Sequence, residues 1–116
     1  MLNKINRLTK DKDFDNVWKN GKASYTKIIG IKAVQNKQKN NRFGILISTK
    51  VSKKAVERNK IKRQIREIIR LQLDKIKHGY DIIIITLPSI LGKSYQEIEQ
   101  SINRHFKKLG LYPSKK

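Results

Sequence analysis

The strongest constraint on the fold of this chain is a central stretch in which isoleucines and basic residues both recur with helical spacing. From residues 48–70, STKVSKKAVERNKIKRQIREIIR, into the segment that follows, five isoleucines fall on one face of a helix that turns about 100° per residue: Ile61, Ile65, Ile68, Ile69 and Ile76. Basic residues recur elsewhere around the same helix at every fourth position: Arg58, Lys62, Arg66 and Arg70. The pattern predicts a long amphipathic helix whose isoleucine face is buried.

Lys and Arg crowd the first turns of this helix. Cations are mildly unfavourable there, because the free N–H groups already give that end a partial positive charge. A helix start that adds cations to its own N–H groups is typical of a phosphate-binding surface. The alternative is a solvated charged face without a ligand.

The motif in this helix resembles that of a known family. Residues 53–63, KKAVERNKIKR, are similar to the signature of the bacterial ribonuclease P protein subunit, in which an Arg-Asn-Arg core lies inside a long basic helix. Here the core is Arg58-Asn59-Lys60, so Lys60 keeps the charge of the second arginine but loses its forked donor geometry. The flanking elements resemble the family over residues 7–109.

The resemblance implies a subunit of the ribonuclease P holoenzyme, the endonuclease that removes the 5′ leader of precursor tRNA. In that family the catalyst is an RNA subunit with bound Mg²⁺, so we expect neither a catalytic residue nor a metal ligand in the protein. The acidic cluster Asp11, Asp13 and Asp15 does not suggest a metal site, because on a helix Asp13 points away from the other two. The implied partners are the catalytic RNA subunit and precursor tRNA.

The resemblance also implies which residues contact RNA. The expected contacts with the RNA subunit are Lys50, Lys53, Lys54, Arg58, Asn59, Lys60, Lys62, Arg63 and Arg66. In the family, a cleft between the first helix and the sheet holds the leader, and Phe14 and Trp18 match its two helix aromatics. Lys32 occupies the position of a third aromatic, where the contact is either lost or made to a phosphate. Core packing beside Val17 is the alternative for both rings.

Composition limits the classes of function. The chain has 28 Lys and Arg against 9 Asp and Glu, a net charge of +19, which favours a polyanionic partner. A structural rRNA-binding protein of ribosomal-protein type has the same character and is the alternative function. DNA is disfavoured, since no short helix precedes the basic helix at helix-turn-helix spacing.

The sequence also favours a cytoplasmic protein without a membrane partner. Cysteine is absent, which excludes disulfides and thiolate metal sites and favours a reducing compartment. No stretch approaches the roughly 20 apolar residues of a membrane span. The first residues, MLNKINRL, lack the apolar core of a signal peptide.

The remaining patterns predict one α+β domain in the order α-β-β-β-α-β-α, or with one strand fewer. We expect helices over 9–20, from the turn at 51–54 to Gly79, and from the capping box at 94–97 to about 109. Strands are expected over 25–34, 42–49 and 81–87, with a polar loop at 35–41. Gly30 interrupts the first strand and indicates a bulge or a close approach.

We expect residues 1–116 to form a single RNA-binding domain with a loose basic arm at 1–8 and a flexible tail at 111–116. The resemblance implies a small αβ sandwich like the second domain of ribosomal protein S5, with about four strands in a mixed sheet and three helices. It further implies a left-handed strand–helix–strand crossover, against the usual right-handed rule.

Overall fold

A mixed four-stranded sheet lies at the centre of the computed structural model, which describes residues 4–113. The strands are β1 (Lys22–Tyr25), β2 (Ile29–Gln35), β3 (Arg42–Leu46) and β4 (Tyr80–Thr86), and the α-helices are α1 (Asp11–Asn20), α2 (Ala55–Leu71) and α3 (Tyr95–Lys108). Short 3₁₀ turns lie at Lys4–Asn6, Leu73–Lys75 and Pro88–Ile90. The predicted α+β class is confirmed, and of the two predicted orders the structure has α-β-β-β-α-β-α.

The strand order is β1-β2-β4-β3. β2 pairs antiparallel with both β1 and β4, whereas β3 pairs parallel with β4. The central strand β4 is buried on both faces, with Ile82, Ile83 and Ile84 fully inaccessible, as its continuous apolar run predicts. α2 connects the parallel pair β3 and β4, which confirms the crossover, while its hand and the likeness to ribosomal protein S5 remain predictions.

Helices cover both faces of the sheet. α2 and α3 bury a large core that includes Ile65, Ile98 and Phe106 against one face. α1 packs on the opposite face, where Val17 joins Leu8 and Ile83 in a smaller core. The three layers form an αβ sandwich, and the isoleucine face of α2 is buried as its spacing predicts.

The single strand predicted over 25–34 is two strands. A turn at 26–28 separates β1 from β2, and both the N–H and the hydroxyl of Thr26 donate to the carbonyl oxygen of Ile29, at 2.9 and 3.1 Å. The hydrophobic pattern did not reveal this turn, because Ile28 keeps the run apolar through it. The strand predicted over 42–49 likewise ends earlier, at Leu46.

α2 ends at Leu71 rather than near Gly79. The side chain of Gln72, just beyond it, donates to Asn103 on α3 and accepts from the hydroxyl of Tyr112. These bonds hold the chain where it leaves the helix. Ile76 lies outside the helix but is buried all the same.

Both ends that were expected to be flexible contain residues packed into the fold. Leu8 is buried and its N–H donates to the carbonyl oxygen of Phe43 at 2.9 Å, while the Asn6 side chain donates to the main chain of Asn41. At the other end Leu111 is fully buried. The buried residues Asn6, Leu8 and Leu111 therefore belong to the packed fold and not to a loose arm or tail, while residues 1–3 and 114–116 lie outside the described residues.

Within residues 4–113, no helix combines the length and the apolar character needed to cross a bilayer.

The capping box predicted at the start of α3 is confirmed. The Ser94 hydroxyl accepts from the Glu97 N–H at 3.1 Å, and the Glu97 carboxylate accepts from the Ser94 N–H.

His105 joins α3 to the β1–β2 hairpin, and only 2% of it is exposed. Its Nε2 lies 3.0 Å from the Ile29 carbonyl oxygen and its Nδ1 lies 2.7 Å from the Ser24 hydroxyl. A carbonyl oxygen only accepts, so Nε2 carries the proton and Nδ1 accepts from Ser24. Burial lowers the pKa of His105; the bond to Ile29 opposes this, and the charges of Lys108 and Arg104 lower the pKa further.

The lowered pKa of His105 predicts a loss of stability in mild acid. Below its ordinary pKa of about 6.5, the unfolded chain binds a proton that the folded chain does not, so the free energy of unfolding falls as pH decreases toward the folded-state pKa. Urea unfolding at pH 7.5 and pH 5.5 measures this loss. His105→Gln should reduce the difference between the two pH values, whereas His78→Gln, at an exposed position, should not; an undiminished pH effect in His105→Gln would contradict the assignment.

Candidate nucleic-acid interface

Ser52 holds the turn before α2. The side chain of the N-cap residue, Lys54, makes no capping hydrogen bond. The Ser52 hydroxyl accepts from the Lys54 N–H at 3.1 Å and donates to the Glu57 carboxylate. Its carbonyl oxygen accepts from the Arg58 guanidinium at 2.8 Å. These bonds fix the start of the helix and leave Lys53 and Lys54 exposed there.

The nine predicted contacts with the RNA subunit lie on α2 and on the turn that precedes it. We call this set the basic face: Lys50, Lys53, Lys54, Arg58, Asn59, Lys60, Lys62, Arg63 and Arg66. Arg58, Lys62 and Arg66 are partly buried and line the side of the helix toward β3. The other six side chains are exposed.

The basic face has no acidic partner within the described chain. The ion pairs among residues 4–113 are Arg42–Asp13, Arg42–Asp81, Arg70–Glu67 and Lys93–Glu97, and none of them involves the basic face. Arg70, which continues the four-residue spacing, is paired with Glu67 and so differs from Arg58, Lys62 and Arg66. Glu67 lies in one pocket with Lys60, Arg63 and Arg66 but is paired with Arg70, so the basic face keeps an excess of positive charge that favours binding of a polyanion.

A groove runs between α2 and α1 along β3. One part, of about 350 Å³, is bounded by Phe14 on one side and by Lys62 and Arg66 on the other. A second part, of about 420 Å³, continues past Leu46 toward Arg58 and shares Lys62 with the first. The groove therefore has an aromatic wall facing a cationic wall, an arrangement that suits the bases and phosphates of a single strand.

Phe14 lies directly on the main chain of β3. A Cβ atom at Gly44 would come within 2.6 Å of two atoms of the Phe14 ring, so only glycine leaves space for it. The ring is partly buried and also packs against the smaller core. Phe14 therefore belongs both to that core and to the groove wall.

Trp18, one turn further along α1, is 40% exposed, while its neighbour Val17 is fully buried. Lys32 lies against Trp18: its ammonium donates to the Trp18 carbonyl oxygen at 2.7 Å and is 5.1 Å from the ring centroid, within the range of a cation–π contact. The structure thus brings Lys32 and Trp18 together on the α1 side of the sheet. Core packing describes Val17 but not Trp18.

The residues that position α1 were missed by the sequence analysis. Arg42 on β3 donates to both carboxylate oxygens of Asp81, at 2.8 and 2.7 Å, and to Asp13 on α1 at 3.1 Å. The hydrogen bond with Asp81 is the main cause of a raised pKa at Arg42. The sequence did contain one sign of this ion pair, because Asp81 is a single acid directly before the isoleucines of β4. Nothing in the sequence identified Arg42 as its partner.

The carboxylates of the described residues do not fit a Mg²⁺ site. Mg²⁺ binds through carboxylate and other oxygen ligands, yet Asp13 and Asp81 are both engaged by Arg42. Among residues 4–113, no group of three or more His, Asp or Glu side chains converges as a ligand set. The basic face would itself repel a cation.

The fold and this face together define a small basic α+β protein of the kind found in ribonucleoproteins, and comparisons specify the family. The Ribonuclease P family model matches residues 2–110. The ribonuclease P protein component of Clostridium botulinum (strain 657 / Type Ba4) is 40% identical over 110 residues, which cover 94% of this chain and 98% of the relative.

Solved structures agree. A mutant of the RNase P protein of Staphylococcus aureus superposes with a TM-score of 0.87 at 30% identity, covering 94% of this chain and 92% of that one. The RNase P protein of Thermotoga maritima gives a TM-score of 0.77 at 27% identity, covering 87% and 96%. The chain belongs to the ribonuclease P protein family, the protein components of a tRNA-processing endoribonuclease. The resemblance noted in the sequence is confirmed.

The exposure of Arg63 predicts an effect on RNA binding without an effect on folding. Arg63→Gln should weaken binding to a bacterial ribonuclease P RNA and reduce the slope of log affinity against log salt by about 0.7–0.9, as expected for one lost phosphate contact. Lys39→Gln, in the exposed loop after β2, is the matched control. An unchanged slope in Arg63→Gln, or unfolding of this variant alone, would show that the face is misassigned.

Arg58 should behave differently from Arg63, because its guanidinium also holds the turn before α2. Arg58→Gln should weaken RNA binding and lower the free energy of unfolding by about 1 kcal/mol, the usual net value of one hydrogen bond. Urea unfolding of the isolated protein measures the second effect. Equal stability of the two variants would mean that the bond to Ser52 contributes nothing in solution.

Proposed function

We propose that this protein is the positioning subunit of ribonuclease P, with the basic face binding the catalytic RNA subunit and the groove beside α1 binding the 5′ leader of precursor tRNA. The observation that carries the proposal is that the two surfaces are continuous. Lys62 and Arg66 belong to the basic face and also form the wall opposite Phe14. One helix therefore serves both partners.

The chemistry of the basic face suits an RNA backbone. Arginines such as Arg63 offer a planar fork that matches two phosphate oxygens, lysines such as Lys54 offer point charges, and Asn59 both donates and accepts. Lys53 and Lys54 lie at the start of α2, where the helix dipole adds to their attraction for phosphate. None of these side chains has an ion pair to break within the described chain.

The groove suits a single strand rather than a duplex. Phe14 lines the groove itself, and Trp18 presents a second ring one turn further along α1, where Lys32 adds a charge. Bases stack on such rings with about 1–3 kcal/mol each and little dependence on sequence. A leader held in this way would enter the complex in a fixed direction.

In this proposal the RNA subunit carries out hydrolysis and holds most of the Mg²⁺, since the described carboxylates do not fit that ion. The protein binds the leader, fixes its path and neutralises phosphates where RNA subunit and substrate meet. Reduced repulsion between the two RNAs should lower the Mg²⁺ concentration that cleavage requires. We place the protein in the cytoplasm, without DNA or a membrane as partner.

A reconstitution assay tests this function. Adding the protein to a bacterial ribonuclease P RNA should restore leader removal at a Mg²⁺ concentration where the RNA alone cleaves slowly. The product should be mature tRNA with a 5′-phosphate, resolved on a denaturing gel. The RNA-free protein is the control, and cleavage by it would contradict the assignment of hydrolysis to RNA.

Trp18→Ala separates leader binding from core packing. The variant should weaken binding of precursor tRNA to the reconstituted holoenzyme by about 1–3 kcal/mol, the value of one stacked base, and leave mature tRNA almost unchanged. Fluorescence of Trp18, the only tryptophan in the chain, should be quenched by a leader and not by mature tRNA.

Val17→Ala is the matched control for Trp18→Ala, because Val17 is fully buried beside it. We expect this variant to lose about 2 kcal/mol of stability through the cavity it creates, and to weaken both tRNAs only as far as the folded protein is lost. If Trp18→Ala behaved in the same way, its ring would be part of the core.

A further inference from the structure

We propose that Tyr25 is an additional stacking residue for single-stranded RNA, at the end of a path that leaves the groove and crosses the sheet to β1. The proposal rests on the proposed leader binding and names a residue that the sequence analysis did not connect with RNA. It depends on the face that Tyr25 occupies, on its support, and on its connection to the groove.

The register places Tyr25 on the α1 side of the sheet. Ser24 is buried and contacts His105 of α3, so it faces the opposite side. Successive residues of a strand alternate between faces, and Tyr25 therefore lies on the α1 face. Tyr25 pairs with Gly30 of β2. Lys32 lies two residues after Gly30, so it occupies the same face of the sheet, where it contacts Trp18.

The Tyr25 ring lies flat on the main chain at Gly30. A Cβ atom at Gly30 would come within 2.2 Å of two ring atoms, so any other residue there would push the ring away. Tyr25 is nonetheless 53% exposed. A ring whose position is fixed by the backbone and which remains open to solvent can stack on a base without further ordering of a mobile side chain.

An apolar strip connects Tyr25 to the groove. Gly30 pairs with Ile85 on β4, and Ile85 pairs with Leu46 on β3, so one row of the sheet reads Tyr25, Gly30, Ile85 and Leu46. With strands about 4.8 Å apart, this row spans roughly 14 Å. Leu46 is 37% exposed and lines the groove next to Arg58.

The charge around the strip identifies the occupant as a polyanion with flat apolar groups. Arg58 lies at the groove end of the strip, and Lys32 lies beside Trp18 on the same face of the sheet. An apolar floor with cations along its course matches single-stranded RNA, whose bases stack while its phosphates contact lysine and arginine. The competing explanation is that the ring only covers Gly30 as a cross-strand pair.

The test uses the holoenzyme reconstituted with a bacterial ribonuclease P RNA and precursor tRNAs with leaders of increasing length. Tyr25→Leu keeps an apolar cover over Gly30 but removes the aromatic ring. It should weaken binding of long-leader precursor tRNA about 5- to 150-fold, the equivalent of one stacked base. Short-leader precursor and mature tRNA should bind as they do to the wild type, and Tyr25→Phe should retain full affinity.

Two further variants keep the result specific. Tyr80→Leu replaces a partly exposed tyrosine at the start of β4, on the side of the sheet that packs against α2 and α3, and should bind every substrate normally. Gly30→Ala keeps the Tyr25 side chain but displaces its ring through the added Cβ atom. This variant should show the same loss of affinity for long-leader precursor tRNA. Thermal unfolding reports whether each variant is folded.

An abasic scan of the leader gives a readout that does not depend on the stability of any variant. Removing the base at one leader position should weaken binding to the wild type and should add nothing in Tyr25→Leu, because the partner is already lost. If Tyr25→Leu binds all leaders normally while Trp18→Ala does not, the ring only covers Gly30 and the inference is wrong. If the wild type does not distinguish precursor from mature tRNA, the proposed leader binding itself fails, and the inference fails with it.

Discussion

The position of α1 depends on the buried ion pair between Arg42 and Asp81. The Asp81 carboxylate is almost inaccessible, and it accepts from Arg42 through both oxygens and from the amide of Asn36 at 2.9 Å. A buried charge is tolerated only when it is paired and hydrogen-bonded in this way. The remaining arm of the guanidinium reaches Asp13 and so ties α1 to β3. The ring of Phe14, next to Asp13, is thereby set on Gly44, and the groove obtains its aromatic wall.

The features that the sequence revealed are those written in local periodicity. The four isoleucines of α2, the apolar run of β4 and the capping box at Ser94 each need only neighbouring residues to be recognised. The pairing of Arg42 with Asp81 spans 39 residues, and the contact of Lys32 with Trp18 depends on how a helix crosses a sheet. Such contacts arise from the assembled topology. The turn at 26–28 was hidden for a different reason, since Ile28 continues the apolar pattern through the reversal.

The sequence predicted which residues form the candidate site, but it did not predict how α2 and β3 arrange them. The motif placed the cations of α2 correctly on one helix, and the structure divides them into a row that lines the groove and a row that faces outward. Helical spacing already separates the two rows. Which row lines a groove is known only once the structure places β3 beside Lys62. The same helix accommodates part of the net charge of +19 without disrupting the fold. Its isoleucines pack in the core, and its cations outside ion pairs are those that bind a polyanion in the proposed function.

Two glycines explain how aromatic rings remain available on this sheet. Phe14 lies on Gly44 of β3 and Tyr25 lies on Gly30 of β2, in each case so closely that a Cβ atom would collide with the ring. Val17, and not Trp18, completes the smaller core, so the Trp18 ring also remains outside the core. A ring supported by main chain on one side is held in place without being enclosed. In the proposed function, the sheet backbone is thus itself part of the surface that binds the leader, and the strand glycines are as necessary to that surface as the rings that lie on them.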